Sequence, residues 1–391
     1  MAKTLVIRHA IIYTPLTIIE NGYIVVKEDT IAEIGREPYS GAISDQLNAE
    51  GLIIAPGFID THIHGYGGRD TDEADVEAIY TISKGLVKHG VTSFVPSSVT
   101  MPHEALVEIA KSIKEAREQW EPEMGARILG LHLEGPYLSL EKAGAQNKKY
   151  IRPASIKELK QYIEASGGIV RQITVAPDNP GVLDLITYAV SQGITVSIGH
   201  TNATYEQTRL AIERGARKST HTFNGMRGIH HREPGPVIAV LEDDSVYVEL
   251  ITDFIHISPP VVRFVIRHVG PLRMVLISDS ICAAGLPDGT YELGGLKVIV
   301  KNGVPRLADT GALAGSTLTL DRAVRNVHSL GFGLRETLVM ASYTPAASIN
   351  ALYRDKVGLL APGFKADMVF LDNSLNVVRT MIAGEIVYEK S

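Results

Sequence analysis

Cysteine is nearly missing from this chain. A single residue, Cys282, stands in 391 positions. That excludes an intrachain disulfide framework and any zinc site built on several thiolates. A reducing compartment, and so a cytoplasmic protein, is the expectation. Long apolar runs are also missing. None approaches the roughly 20 residues of a membrane-spanning helix, and the start lacks the apolar stretch of a signal peptide. Neither sign of charge dominates: 38 Lys+Arg face 44 Asp+Glu, a formal net charge of -6. An extended anionic partner, nucleic acid or membrane, is therefore not expected. Low-complexity linkers and long internal repeats are absent as well. What remains is ordinary for a globular protein, 45% hydrophobic and 21% charged, with 36 glycines and 13 histidines. Length alone suggests two to three domains.

The order of patterns refines that count. Leu5–Ile12, Tyr23–Lys27 and Ile31–Ile34 read as short strands. From Phe58 to Asp279 the chain alternates buried-strand runs with amphipathic stretches. The strands are Phe58–Ile63, Val91–Pro96, Arg127–Leu133, Ile169–Ala176, Ile194–Ile198, Lys218–Thr222, Val246–Ile251 and Met274–Ser278. The helical stretches run over Asp75–His89, Glu104–Gln119, Ser155–Ala165, Val182–Ser191, Tyr205–Arg214 and Pro259–Val269, with a weaker one toward Leu241. Eight strand–helix units imply parallel strands and a closed (β/α)8 barrel. A doubly wound sheet would carry a Gly-rich phosphate loop after an early strand, and there is none. Beyond Asp279, Tyr291–Val300 alternates like a hairpin, Ser316 reads as a helix N-cap, and helical stretches lie near Leu334–Ser342 and Pro345–Tyr353. Strand patterns return at Met368–Leu371, Val377–Ile382 and Glu385–Tyr388. The expected fold is a (β/α)8 barrel of the TIM type over 57–356. A small β-sandwich domain is expected from both termini, 1–56 plus 357–391.

The clearest local signal is Pro56-Gly57-Phe58-Ile59-Asp60-Thr61-His62-Ile63-His64. Two histidines two apart on a strand project from one face. At the C-terminal end of a first barrel strand they overlook the barrel mouth, where imidazole is a ready ligand for divalent metals. Glu134 follows the third strand, His200 the fifth, His221 the sixth and Asp279 the eighth. Each has an ordinary alternative: a surface turn for Glu134, a strand-end or cap residue for the others. Those alternatives leave unexplained why all five places share the C-terminal rim, the face that carries catalytic groups in barrels. Glu134, His200 and His221 supply three ligands and leave an open position for water. Asp279, not needed as a ligand, is free to accept the water proton and hand it to a leaving amine. His62 and His64 can hold a second metal with Glu134 bridging. Arg227, His230, His231 and Arg232 crowd a loop above the sixth strand and suit a phosphate. Lys148, Lys149 and Arg152 read as a solvated surface cluster.

The Pro-Gly-Phe-Ile-Asp-x-His-x-His segment, the late-strand Asp279 and Gly358-x-x-x-Pro362-Gly363-x-x-Ala366-Asp367 resemble the amidohydrolase superfamily. Further motifs resemble, within it, the N-acetylglucosamine-6-phosphate deacetylases. They are His132-Leu-Glu134-Gly135-Pro136-Tyr137, Gly144-Ala145-Gln146, Gly199-His200-Thr201, His221-Thr-Phe-Asn224, Arg232-Glu233-Pro234-Gly235, Asp253-x-x-His256, Ser278-Asp279 and Leu313-Ala314-Gly315-Ser316. The resemblance implies Glu134, His200 and His221 as metal ligands and Asp279 as the acid/base. It also implies Ala145, Gln146, Asn224, Gly225, Arg232, Asp253, His256, Leu313, Ala314 and Gly315 as the sugar-phosphate site. One or two divalent ions per subunit, Zn, Fe, Co or Mn, are implied, with an amino-sugar phosphate as the small-molecule partner. So is a homodimer in which Arg232 reaches the other subunit's substrate. Three positions depart from the family pattern. Asn224-Gly225 stands for Asn-Ala, Phe254 replaces the Gly of Asp-Gly-x-His, and both first-strand histidines are kept.

Three other readings fit part of the pattern. A deacetylase of N-acetylgalactosamine 6-phosphate differs at one hydroxyl. A cyclic-amide hydrolase would bridge two metals with a modified lysine on the fourth strand, and Ile169–Ala176 has none. A non-catalytic sugar-phosphate binder would have lost a ligand or Asp279, and all are present.

Overall fold

A computed structural model describes residues 4–390. The two ends of the chain meet in one eight-stranded sheet, ordered Glu385–Glu389, Val377–Ile382, Met368–Leu371, Ile53–Pro56, Thr4–Tyr13, Ile18–Lys27 and Thr30–Arg36, with Asp45–Asn48 branching off. Strand Thr4–Tyr13 produces the branch. One of its edges pairs antiparallel with Ile18–Lys27. The other is shared, Asp45–Asn48 taking Leu5–Arg8 and Ile53–Pro56 taking Ile11 and Ile12. The pairing with Ile18–Lys27 shifts between Ile7 and Ala10, and His9 there is left-handed at φ 63. Such a bulge bends a strand. The sheet therefore folds over its own core of Ile7, Ile12, Ile24, Ile54, Phe370 and Met381. This is the form taken by the expected β-sandwich.

Between those ends lies the barrel. Its parallel strands are Phe58–Ile63, Val91–Ser98, Arg127–Ile128 continued by Leu131–Glu134, Val170–Val175, Thr195–Ile198, Lys218–Ser219, Tyr247–Ile251 and Met274–Ile277. Their side chains are buried on both faces, as crossover helices require. The eighth strand returns to the first: Asp279 N–H donates to His62 O at 2.9 Å, and Ser278 N–H reaches Asp60 Oδ1 at 3.3 Å. Helices Val76–Leu86, His103–Glu118, Ile156–Ala165, Val182–Ser191, Tyr205–Glu213, Gly235–Glu242 and Pro259–Val269 pack outside. Asp75, Ser155 and Thr204 cap three of them through side-chain oxygens that accept backbone N–H groups. No helix among the described residues is long and apolar enough to cross a membrane.

The structure amends several expected elements. The third strand is interrupted at Gly130, whose φ of 147 suits glycine alone. The sixth ends at Ser219, three residues early, because the chain turns into a left-handed conformation at His221. Ser316 does not cap a helix. Its hydroxyl donates to Ser278 O at 2.6 Å, tying the segment to the eighth strand, and the helix begins at Leu320. The expected hairpin is a three-stranded sheet, Gly289–Leu293, Leu296–Lys301 and Val304–Leu307. Arg152 is no surface residue: it turns inward onto Glu158 at 2.9 Å and onto the carbonyl of Met101 at 3.1 Å.

Gly57 is where the terminal sheet passes into the barrel. Its N–H donates to Asp367 O at 3.1 Å, and a Cβ there would lie 2.1 Å from the side chain of Thr92. Thr92 is β-branched and buried and cannot swing away. Gly57→Ala is expected to lower stability by about 1–3 kcal/mol, the usual range for overpacking. Chemical denaturation reads it, and an unchanged midpoint would contradict this packing.

Candidate metal centre

Six side chains converge at the C-terminal ends of the strands, all buried: His62, His64, Glu134, His200, His221 and Asp279. They fall into two groups. His62, His64 and Asp279 form one, and Glu134, His200 and His221 the other. Within each, one ligand atom per residue lies within 4.8 Å of the rest. Glu134 touches both. Its Oε1 lies 2.9 Å from His221 Nε2, 3.2 Å from His200 Nε2 and 3.5 Å from His62 Nε2, while Oε2 lies 3.3 Å from His64 Nε2. Asp279 Oδ1 is 3.2 Å from His64 Nε2 and 3.4 Å from His62 Nε2. Asp279 is thus close enough to serve as a ligand as well as a base.

Two of the imidazoles, His64 and His200, are held in the same tautomer. His64 Nδ1 faces Ser97 O at 3.0 Å, and His200 Nδ1 faces Lys142 O at 2.9 Å. A carbonyl only accepts, so each Nδ1 carries a hydrogen, and in the neutral ring each Nε2 keeps a bare lone pair. His62 Nδ1 lies 3.2 Å from Glu249 Oε2, and its Nε2 is buried with no hydrogen-bond partner. Four imidazoles and two carboxylates therefore point inward around a deficit of positive charge. Burial disfavours protonating His62, but Glu134 and Asp279 outweigh it and push the ring up to about 10. His64 is raised well above its usual range against the same burial penalty, through its contacts with Asp279 and Glu134. Burial opposes the charge on Glu134, yet the facing histidines hold it well below the ordinary carboxylate range. Asp279 is lowered likewise by His62 and His64. A buried group of this kind requires a cation, and neutral Nε2 atoms with carboxylate oxygens are donors suited to a divalent metal.

The backbone positions these groups at some cost. His200, His221 and Asp279 have φ of 44, 27 and 49, all left-handed. For a residue with a Cβ that costs about 1–2 kcal/mol. Such strain concentrates at functional sites, and here it turns each side chain from its strand end into the mouth.

A cavity of about 250 Å³ opens onto the site. Of the residues implied as sugar-phosphate contacts, Ala145, Gln146, Asn224, Gly225, His256, Leu313 and Gly315 line it. Gln146 is committed to Glu134, donating to Oε2 at 2.6 Å while its Oε1 accepts Thr100 N–H at 2.6 Å. Asp253 lies behind His256, with Oδ2 at 2.8 Å from His256 Nδ1. Phe254 has a left-handed backbone, φ 66, of the kind that glycine adopts readily. Ala314 is fully buried, and His62 lies beneath the cavity wall. Arg232 is not brought to the cavity. It stands exposed on the Gly228–Glu233 loop, with Nη1 2.7 Å from His231 Nε2.

Sequence reasoning missed the layer below. Lys218 and Glu249 are fully buried and paired at 2.8 Å, and His132 lies between Ser97 Oγ and Thr174 Oγ1, both at 2.8 Å. Burial holds His132 well below its usual range, so this ring is neutral. A lysine opening a barrel strand and a glutamate within the next apolar run were the available signals. Cys282 is no nucleophile, since burial pushes its thiol up to about 11.

The fold and the site define a metal-binding hydrolase barrel, and the chain belongs to the amidohydrolase family, whose model matches residues 53–387. Among its relatives, an N-acetylglucosamine-6-phosphate deacetylase of Vibrio furnissii is 37% identical over 380 residues, 96% of this chain and 90% of that one. An N-acetylgalactosamine-6-phosphate deacetylase of Escherichia coli O157:H7 is also 37% identical, covering 92% and 93%. A solved structure of a mutant N-acetyl-D-glucosamine-6-phosphate deacetylase from Mycobacterium smegmatis, in complex with N-acetyl-D-glucosamine-6-phosphate, superposes with a TM-score of 0.91. It is 34% identical over 99% of both chains.

Gly225 tests the geometry around His200. It is left-handed at φ 63, and a Cβ there would meet His200 Nδ1 at 2.8 Å, the nitrogen bonded to Lys142 O. An alanine there would take up a left-handed backbone that costs a residue with a Cβ about 1–2 kcal/mol and would crowd this ring. Gly225→Ala is expected to weaken zinc binding by about 10–100-fold, as disturbing a ligand's hydrogen-bond partner does. Calorimetric titration of the metal-stripped protein measures it, and unchanged affinity would contradict the contact.

Proposed function

We propose that the chain hydrolyses the N-acetyl group of N-acetylglucosamine 6-phosphate, giving glucosamine 6-phosphate and acetate. The observation that carries this reading is Glu134, placed between two groups of ligands with Asp279 alongside. Glu134, His200 and His221 would hold one divalent ion, Zn, Fe, Co or Mn, and His62, His64 and Asp279 a second. Bound there, such an ion supplies a Lewis acid and lowers the pKa of water.

The protein's own groups do the rest. Asp279, kept ionised by His62 and His64, takes a proton from the attacking water. The hydroxide oxygen adds to the acetyl carbonyl carbon. Asp279 then returns the proton to the amide nitrogen as the C–N bond breaks, leaving acetate and a free amine. His200 and His221 stand beside Glu134 with their Nε2 atoms 3.2 and 2.9 Å from its Oε1, and Gln146 fixes its second oxygen. His256, oriented by Asp253, and Asn224 bind the sugar phosphate, joined by the backbone at Ala145, Gly225 and Leu313–Gly315. Arg232, exposed on its loop, serves the phosphate across a homodimer interface. The catalytic barrel spans 57–356, and 1–56 with 357–391 form the small domain.

The galactosamine substrate is a second reading, favoured by equal identity to a relative of that name. A cyclic-amide hydrolase is not: the fourth strand has no lysine, and the three N–H bonds of Lys218 go to Thr61, Gln172 and Glu249.

Acetate release from the glucosamine and galactosamine substrates, each with and without the 6-phosphate, tests the assignment. The phosphorylated glucosamine compound is expected to be turned over best. Equal rates without phosphate would remove the phosphate site. Asp279→Asn is expected to lower kcat by about 10²–10⁴-fold, the usual contribution of a general base, while one metal per chain persists on Glu134, His200 and His221. Turnover like that of the unsubstituted protein would remove Asp279 from the mechanism.

A further inference from the structure

Barrel interiors are normally filled by branched apolar side chains, yet a lysine and a glutamate lie one layer below the ligands here. Glu249, on Tyr247–Ile251, is fully buried. Its Oε1 is 2.8 Å from Lys218 Nζ. Its Oε2 faces His62 Nδ1 at 3.2 Å and also accepts the backbone N–H of His221 at 3.2 Å. Lys218 donates further to Thr61 Oγ1 at 2.8 Å and Gln172 Oε1 at 2.7 Å, so all three of its hydrogens are used. A buried ion pair is not an economical way to stabilise a core, since apolar residues of the same volume do as well or better. Its retention calls for another role.

We propose that Glu249, fixed by Lys218, is the positioning residue that makes the His62–His64–Asp279 group a second metal site. The tautomer argument supports it. His64 and His200 are oriented by neutral backbone carbonyls, and only His62 is oriented by a carboxylate. An ionised acceptor fixes the hydrogen on Nδ1 and raises the basicity of Nε2, the atom left buried without a partner. The same oxygen grips the main chain at His221, which belongs to the other group. Glu249 therefore sets the spacing of the two groups from beneath, as Glu134 does from between.

This inference rests on the metal-dependent reading above but not on its substrate. The test is a zinc titration of metal-stripped protein by calorimetry, with no sugar present. The unsubstituted chain is expected to bind two zinc ions. Glu249→Leu combined with Lys218→Met removes both charges together and avoids stranding either one. That variant is expected to keep a native circular dichroism spectrum and two zinc sites. The one at His62, His64 and Asp279 should be weakened by about 10–100-fold. The one at Glu134, His200 and His221, which loses only a main-chain hydrogen bond at His221, should be weakened less. Should it not fold, Glu249→Gln, which keeps the volume and loses the charge, makes the same comparison. Two unchanged affinities in the folded variant, or one zinc ion in the unsubstituted chain, would overturn the proposal. Intact zinc binding without acetate release from any of the sugars would count against the substrate and leave Glu249 in place.

Discussion

Glu134 presents two oxygens to four imidazole nitrogens within 3.5 Å, in a pocket almost closed to solvent. A carboxylate so buried is costly unless its charge is answered. The surrounding structure supplies that answer. Strands one, five and six deliver the imidazoles, Gln146 donates one hydrogen bond to Oε2, and the eighth strand brings Asp279 against His62 and His64. The Nδ1 hydrogens of His64 and His200 are committed outward, so their Nε2 atoms face the pocket, where a divalent metal is a cation that these donors suit. A divalent ion bound there would add its binding free energy to the stability of the fold.

The fold meets this constraint in layers. The rim is strained, with left-handed backbone at His200, His221 and Asp279. Beneath it is a polar floor of His132, Gln172, Lys218 and Glu249, each hydrogen-bonded within the barrel. Deeper and outward the packing is apolar, with Ile59, Val95 and Leu129 against Ala346, Ile349 and Val357. Strands thus carry the candidate ligands, the floor packs beneath them, and the loops above carry the candidate sugar contacts, the usual division of labour in such barrels.

Much of this was legible in the residues. The eight strands and most of the outer helices follow from periodicity, and the candidate site, five possible ligands with Asp279 as the base, follows from the shared phase of His62, His64, Glu134, His200, His221 and Asp279 at strand ends. The union of the termini was legible because both read as strands while the middle does not. What escaped is long-range. The partnership of Lys218 and Glu249 joins neighbouring strands across 31 positions of sequence, and a lone buried charge leaves no periodic trace. Ser316 looked like a cap because its local pattern fits one, whereas a tertiary bond to Ser278 O takes its hydroxyl. The inward turn of Arg152 depends on Glu158 and Met101, and no local pattern shows it.

The shared role of Glu134 is the centre of this account, and anomalous diffraction from crystals of the metal-loaded protein, collected at the metal's absorption edge, tests it most directly. Two peaks are expected, about 3.5–4 Å apart as in two-metal sites. One should lie among Glu134, His200 and His221 and one among His62, His64 and Asp279, with the Glu134 carboxylate between them. A single peak, or a pair that Glu134 does not join, would contradict it.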